Sequence, residues 1–190
     1  MLRVLLGAVG LWIGLGLGLL AWHAPQTPAH VARALPDDTC AVPCWRGIWP
    51  GQTTDAEAAY HLARLPDTVP ARVGNAWHID EAPYTHTVTW LAGSGELMIG
   101  VQGVRLADAL LAFGPPKYYF IQTELAGRIR NMLIFWPEQR VRVVVRVQDF
   151  DQGRGFSLRL DTPISSIKYL HAAPARPPNA RSWVAAHYVR

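Results

Sequence analysis

Charge is scarce in this chain, at 17% of 190 residues, and cysteine is scarcer, with two in all. Two cysteines exclude a disulfide-dense mini-protein and any four-cysteine metal cluster. Acidic residues are missing altogether from 162–190, where Lys168, Arg176, Arg181 and Arg190 stand alone. That stretch carries the whole formal excess of +4, so the rest of the chain is balanced. A balanced body excludes a general nucleic-acid-binding surface. No phosphate-cradling glycine loop, nucleophile elbow or zinc-protease helix occurs. Ser94, Ser157, Ser165, Ser166 and Ser182 lack an activating sequence context. What the chain has in quantity is apolar residues, at 50%, which excludes a disordered polymer. Its length suits one domain of ordinary size.

The longest apolar run is Val4 to Trp22, without a charge or strongly polar side chain. As a helix it would cover about 28 Å, close to the hydrocarbon thickness of a bilayer. Arg3 and the amino terminus precede it, so the positive-inside bias keeps residues 1–3 cytoplasmic and sends the remainder across. A cleaved signal peptide is the competing reading, but its apolar core is shorter and ends at a small-x-small site. Leu19 and Trp22 occupy the positions that cleavage after Ala21 or Ala24 would need small. The expectation is therefore an uncleaved transmembrane signal-anchor over 4–22 in the cell membrane, with the bulk extracytoplasmic. Gly10, Gly14 and Gly18 form a small-xxx-small ridge on one face of that segment, a motif through which two helices can dimerise.

Residues 23–38, with Pro25, Pro28 and Pro36, read as a linker. Residues 39–172 read as the extracytoplasmic domain, and 173–190 as a basic, proline-rich tail able to lie along anionic headgroups. Cys40-Ala41-Val42-Pro43-Cys44 opens the domain. On the oxidising side of a membrane two cysteines this close can form a structural disulfide. Free thiols, redox chemistry and a metal site stay open, although three intervening residues do not match a thioredoxin-type motif.

Two helices are well marked. Thr54 with Glu57 is a capping box, Ala58, Leu62 and Leu65 share a face, and Pro66 ends the run. Leu106, Ala109, Leu110 and Phe113 make the second apolar face, and Gly114 with Pro115-Pro116 stops it. Elsewhere the period is two. His86, Val88 and Trp90 alternate with Thr85, Thr87 and Thr89, and Gly93-Ser94-Gly95 turns the chain into Glu96 to Val101. Tyr118 to Thr123, Ile129 to Trp136, Val141 to Val147, Phe156 to Leu160 and Ile164 to Leu170 follow as strands. Arg142 and Arg146 face away from the valines, toward solvent. At one fixed offset Ala58, Leu62, Leu65 and Pro66 fall on Leu106, Leu110, Phe113 and Gly114. The fold expected is α+β, with two helix-plus-antiparallel-strand units in tandem after one N-terminal transmembrane helix.

Gly51-Gln52-Thr53-Thr54 with Glu57-Ala58, and Leu110 with Phe113-Gly114 and Pro116, resemble the helix start and stop of the small envelope domains of the BamE (SmpA/OmlA) type. Two such units in tandem are similar to the β-lactamase-inhibitor-protein fold. The stretch Pro43-Cys44-Trp45-Arg46-Gly47-Ile48 to Thr53-Thr54 also resembles a family of uncharacterised, membrane-anchored bacterial proteins. The chain lacks the lipidation cysteine of the BamE type. The resemblance implies a non-catalytic domain that binds or scaffolds envelope proteins.

One polar cluster suggests chemistry. His78 and Asp80 point the same way on a strand, and a hairpin bringing His86 alongside would make a two-histidine, one-carboxylate metal site. His86 alternates with Val88 and Trp90, however, and reads equally as a partly buried strand residue. Six tryptophans outside the apolar run, at 45, 49, 77, 90, 136 and 183, fill a core or, if exposed, stack on cell-wall sugars. The leading expectation is a non-catalytic, protein-binding envelope domain with no cofactor. A metal-dependent enzyme using His78, Asp80 and His86, and a glycan-binding module, are its alternatives.

Overall fold

Segments of alternating hydrophobicity pair into one continuous ladder. The computed structural model describes residues 28–37, 40–66, 68–70, 76–81, 83–124, 129–147 and 158–183. Among these are three short helices, α1 (Ala29–Ala34), α2 (Asp55–Leu62) and α3 (Leu106–Phe113). Nine strands accompany them: β1 (Thr68–Pro70), β2 (Ala76–Glu81), β3 (Tyr84–Leu91), β4 (Glu96–Gly100), β5 (Tyr118–Glu124), β6 (Ile129–Trp136), β7 (Val141–Val147), β8 (Ser166–Tyr169) and β9 (Arg181–Ser182). They form a single sheet in the order β1-β2-β3-β4-β8-β7-β6-β5-β9, antiparallel throughout.

This corrects the expected architecture of two helix-plus-strand units behind a membrane helix. The molecule is mainly a nine-stranded antiparallel sheet with a few small helices. The physical reason is β8. It hydrogen-bonds to β4 on one side and β7 on the other, so neither meander keeps a free inner edge. No helix among the described residues is long and apolar enough to cross a membrane. The expected span 4–22, with Gly10, Gly14 and Gly18, lies outside the described residues.

One face of the sheet carries the core. Trp90, Leu97, Tyr169, Val141 and Trp136 are successive cross-strand partners from β3 to β6. Val88, Ile99, Ile167, Val143 and Ile134 make the next row. All ten are buried, and the helices cover them with Ala58 and Leu62 of α2 and Leu106, Ala109 and Phe113 of α3. Two indoles tie helices to sheet. Trp90 Nε1 donates to Asp55 Oδ1 at 2.6 Å, and Trp136 Nε1 donates to the Gly114 carbonyl at 2.8 Å. Leaving a buried indole N–H unpaired is costly, so each bond also fixes where the helix end sits.

Local signals set the start of α2 and the stop of α3, whereas α2 ends at Leu62, before the expected stop at Pro66. Thr54 Oγ1 accepts from the Glu57 amide, and the Glu57 carboxylate accepts from the Thr54 amide at 2.9 Å. Backbone and side-chain hydrogen bonds from Thr54 hold the Glu57 carboxyl below its ordinary value of 4.5. A lowered carboxyl stabilises the fold above that value, and the contribution is lost as pH falls through the lowered one. Gly114 closes α3 at φ 72°, a backbone conformation that glycine adopts without strain.

The stretch expected as a linker contributes structure. Val31, Ala34 and Leu35 on and beside α1 are buried in the main core. The proline-rich tail is also part of the fold as far as residue 183. Its β9 pairs with the first residues of β5, and Trp183 meets Tyr119 edge-on at 6.1 Å. Cys40 and Cys44 are joined in a disulfide, with Cys44 buried beside Trp45 and Ile48.

If β8 fuses the two halves, Ile167→Ala should cost about 2–5 kcal/mol, the range for deleting a buried aliphatic side chain. Denaturant unfolding followed separately through probes on β3 and β6 should show both halves melting in one coincident transition. Two separated transitions would contradict a single cooperative sheet.

Candidate functional site: the open face of the sheet

Because side chains alternate along a strand, the face away from the helices is also determined by the register. Thr89, Met98, Lys168, Arg142, Phe135 and Tyr118 run across it as successive partners. Beside them run His78, Thr87, Gly100, Ser166, Val144, Leu133 and Phe120. Most of these residues are half-buried.

The aromatic end is partly covered. Tyr118 and Phe135 stack at 4.9 Å, and with Leu133 they form a small second cluster on which Ala180 packs. The Tyr118 hydroxyl donates to the Pro174 carbonyl at 3.0 Å, and burial pushes its phenol above the usual range. Arg176 lies 5.8 Å over the Tyr118 ring and donates to the Ala180 carbonyl and Ser182 Oγ, both at 3.2 Å. The segment after β8 thus folds over this corner of the face.

The centre is cationic. Lys168 forms an ion pair with Glu96, and both side chains are largely shielded. Arg142 stands next to Lys168 in the register. Burial lowers the stability of its charged form, against which the Glu96 carboxylate acts. Its Nε is buried without a hydrogen-bond partner. The expectation that Arg142 and Arg146 both point to solvent holds for Arg146, which is exposed, whereas Arg142 is half-buried among its neighbours.

The residues of the suggested metal cluster are separated by the sheet itself. His78 pairs with Thr87 and Asp80 with Thr85, on the open face. Thr87 Oγ1 lies 3.4 Å from His78 Nδ1, and Thr85 Oγ1 donates to Asp80 Oδ1 at 3.2 Å. His86 is directly opposite Ile79 and points into the core with Val88 and Trp90, fully buried. The spacing was right for a hairpin, but the one-residue difference in parity turns His86 to the other side. No group of three ligating side chains that could hold a metal ion occurs among the described residues.

His86 has a structural task instead. The Gln102 amide donates to its Nδ1 at 3.3 Å, so Nε2 carries the proton and donates to the His30 carbonyl at 2.7 Å. This bond fastens α1 to the sheet. The His30 ring lies 4.1 Å from that of Tyr84, and a Cβ on Gly103 would come within 2.7 Å of Tyr84. None of the six tryptophans is exposed: Trp45, Trp90 and Trp136 are buried, and Trp49, Trp77 and Trp183 are half-buried. A cleft of about 410 Å³ between α1 and α3 is lined by Leu35, Asp37, Asp108 and Leu111 among others, with no histidine, cysteine or serine among the described lining residues.

The sequence reading did not find the open face as a site. The signal was present in the alternation of β7, where two arginines share a side with Val144, but the neighbouring strands were needed to show what surrounds them. Comparisons with protein-family models, with curated proteins and with solved structures found no match for this chain.

Two substitutions test the local chemistry. His86→Leu should destabilise by about 1–3 kcal/mol, because the His30 carbonyl and the Gln102 amide lose their partner inside the core. Arg142→Met should be neutral or stabilising by up to about 1 kcal/mol, since it removes an unsatisfied, desolvated donor. Thermal unfolding of each variant measures both. A clear loss of stability in Arg142→Met would mean that the guanidinium holds the fold together.

Proposed function

We propose that this is a membrane-tethered, extracytoplasmic domain that binds or scaffolds envelope proteins without catalysis, and that the open face of the sheet is its binding surface. One observation carries the reading. The face combines half-buried apolar and aromatic residues with a half-buried cation, Arg142, whose Nε is buried without a hydrogen-bond partner. Apolar area beside a charged group with an unpaired donor is a poor surface to leave in water and a good one to bury against a partner. The disulfide supports placement in an oxidising compartment. The apolar run Val4 to Trp22 supports attachment at the membrane. The resemblance to BamE-type domains points the same way.

The alternatives draw less support. A metal-dependent enzyme would need His78 and His86 on one side of β2 and β3, and they lie on opposite sides. A glycan platform would need tryptophans standing exposed.

A photo-reactive residue at Met98, in the middle of the face, should crosslink a discrete envelope protein in intact cells. The same residue at Tyr60, exposed on α2, should not. The reading is abandoned if Met98 yields no protein adduct, or if both positions give the same ones.

A further inference from the structure

We propose that the open face receives an acidic segment of a partner protein and that Arg142 takes one of its carboxylates, an inference that rests on reading this face as a protein-binding surface. Charge counting on the central strands comes first. Among the side chains described on the open side of β4, β8 and β7, the cations are Lys168, Arg142 and Arg146, and the acid is Glu96. Glu96 is engaged by Lys168. A guanidinium excess is left at the centre of the sheet.

Burial then decides what can meet it. Arg142 Nε is out of contact with water and has no hydrogen-bond partner, although a planar guanidinium is built to donate in pairs to a carboxylate. The short residues Gly100 and Ser166 lie one row away, which lets a partner backbone come close. Phe135 is the cross-strand neighbour of Arg142 and Val144 lies two residues along, so the cation is framed by apolar surface. A protruding side-chain carboxylate with apolar neighbours fits such a recess. A flat layer of lipid phosphates meets the exposed Arg146 first, whereas a protruding carboxylate can approach the half-buried guanidinium of Arg142 between its neighbours.

The test uses the full chain in phosphatidylcholine nanodiscs with ¹⁵N-labelled arginine, following the Nε–Hε signal of Arg142. The probe is a blocked decapeptide of alternating Glu and Val. It should shift that signal, and added salt should weaken its binding. Arg142→Gln should weaken binding at least tenfold. Arg146→Glu, an exposed position whose exchange leaves the core untouched, should weaken it severalfold. Arg64→Gln on the helix side should not change it.

An unmoved Arg142 signal, unchanged affinity in Arg146→Glu, or equal binding of a Lys–Val decapeptide would each overturn the proposal. So would an equal response to inorganic phosphate or to phosphatidylglycerol vesicles. The crosslink at Met98 separates the two readings. A protein captured through a neutral or basic stretch overturns the acidic-segment proposal and leaves the binding surface standing, whereas an acidic stretch supports both.

Discussion

The pairing of β8 with both β4 and β7 is the constraint on which the rest of this structure depends. Four residues, Ser166 to Tyr169, complete two ladders at once. Ile167 and Tyr169 place their side chains in the two central rows of the core, so backbone pairing and apolar burial act at the same position. Without that strand, each meander would present an edge of unpaired amides and carbonyls in the middle of the molecule, a costly arrangement when buried. With it, one core runs from Trp90 to Trp136 beneath the helices.

The two sides of the sheet then diverge. On the core side, the helices are held by apolar faces and by single directional bonds from Trp90 and Trp136. His86 does the same for α1, which lies close to where the apolar N-terminal run ends in sequence. On the open side, most of the described side chains are half-buried. The result is a face that is drier than an ordinary surface. Arg142 is where these conditions conflict most, because its charge is desolvated by its neighbours and its Nε is left without an acceptor. Trp45 Nε1 and Arg46 Nε are likewise buried without a hydrogen-bond partner, and Arg142 is the one of the three that stands on a strand of the sheet.

Much of the local structure was legible. The capping box at Thr54 and Glu57, the stop at Gly114 and the alternation of β3 and β7 follow from rules that act within a few residues. The architecture was not. The similar helix patterns at Ala58 to Leu65 and Leu106 to Phe113 suggested two repeated units, yet the strand that merges them lies more than sixty residues from its partner β4. The strap 28–37 was equally hidden. A helix of six residues has too little periodicity to register, and its burial comes from the sheet beneath it.

From the sequence alone came the start of α2, the stop of α3, the period of the main strands, and two cysteines near enough to bond. Each is set by dihedral preference, capping or short-range geometry, which need no distant partner. Only the tertiary structure decided that the two meanders share one sheet, that His86 turns inward while His78 and Asp80 turn outward, and that Arg142 is shielded where Arg146 is not. Those outcomes depend on register between strands far apart in the chain, and a shift of one residue in that register exchanges the faces.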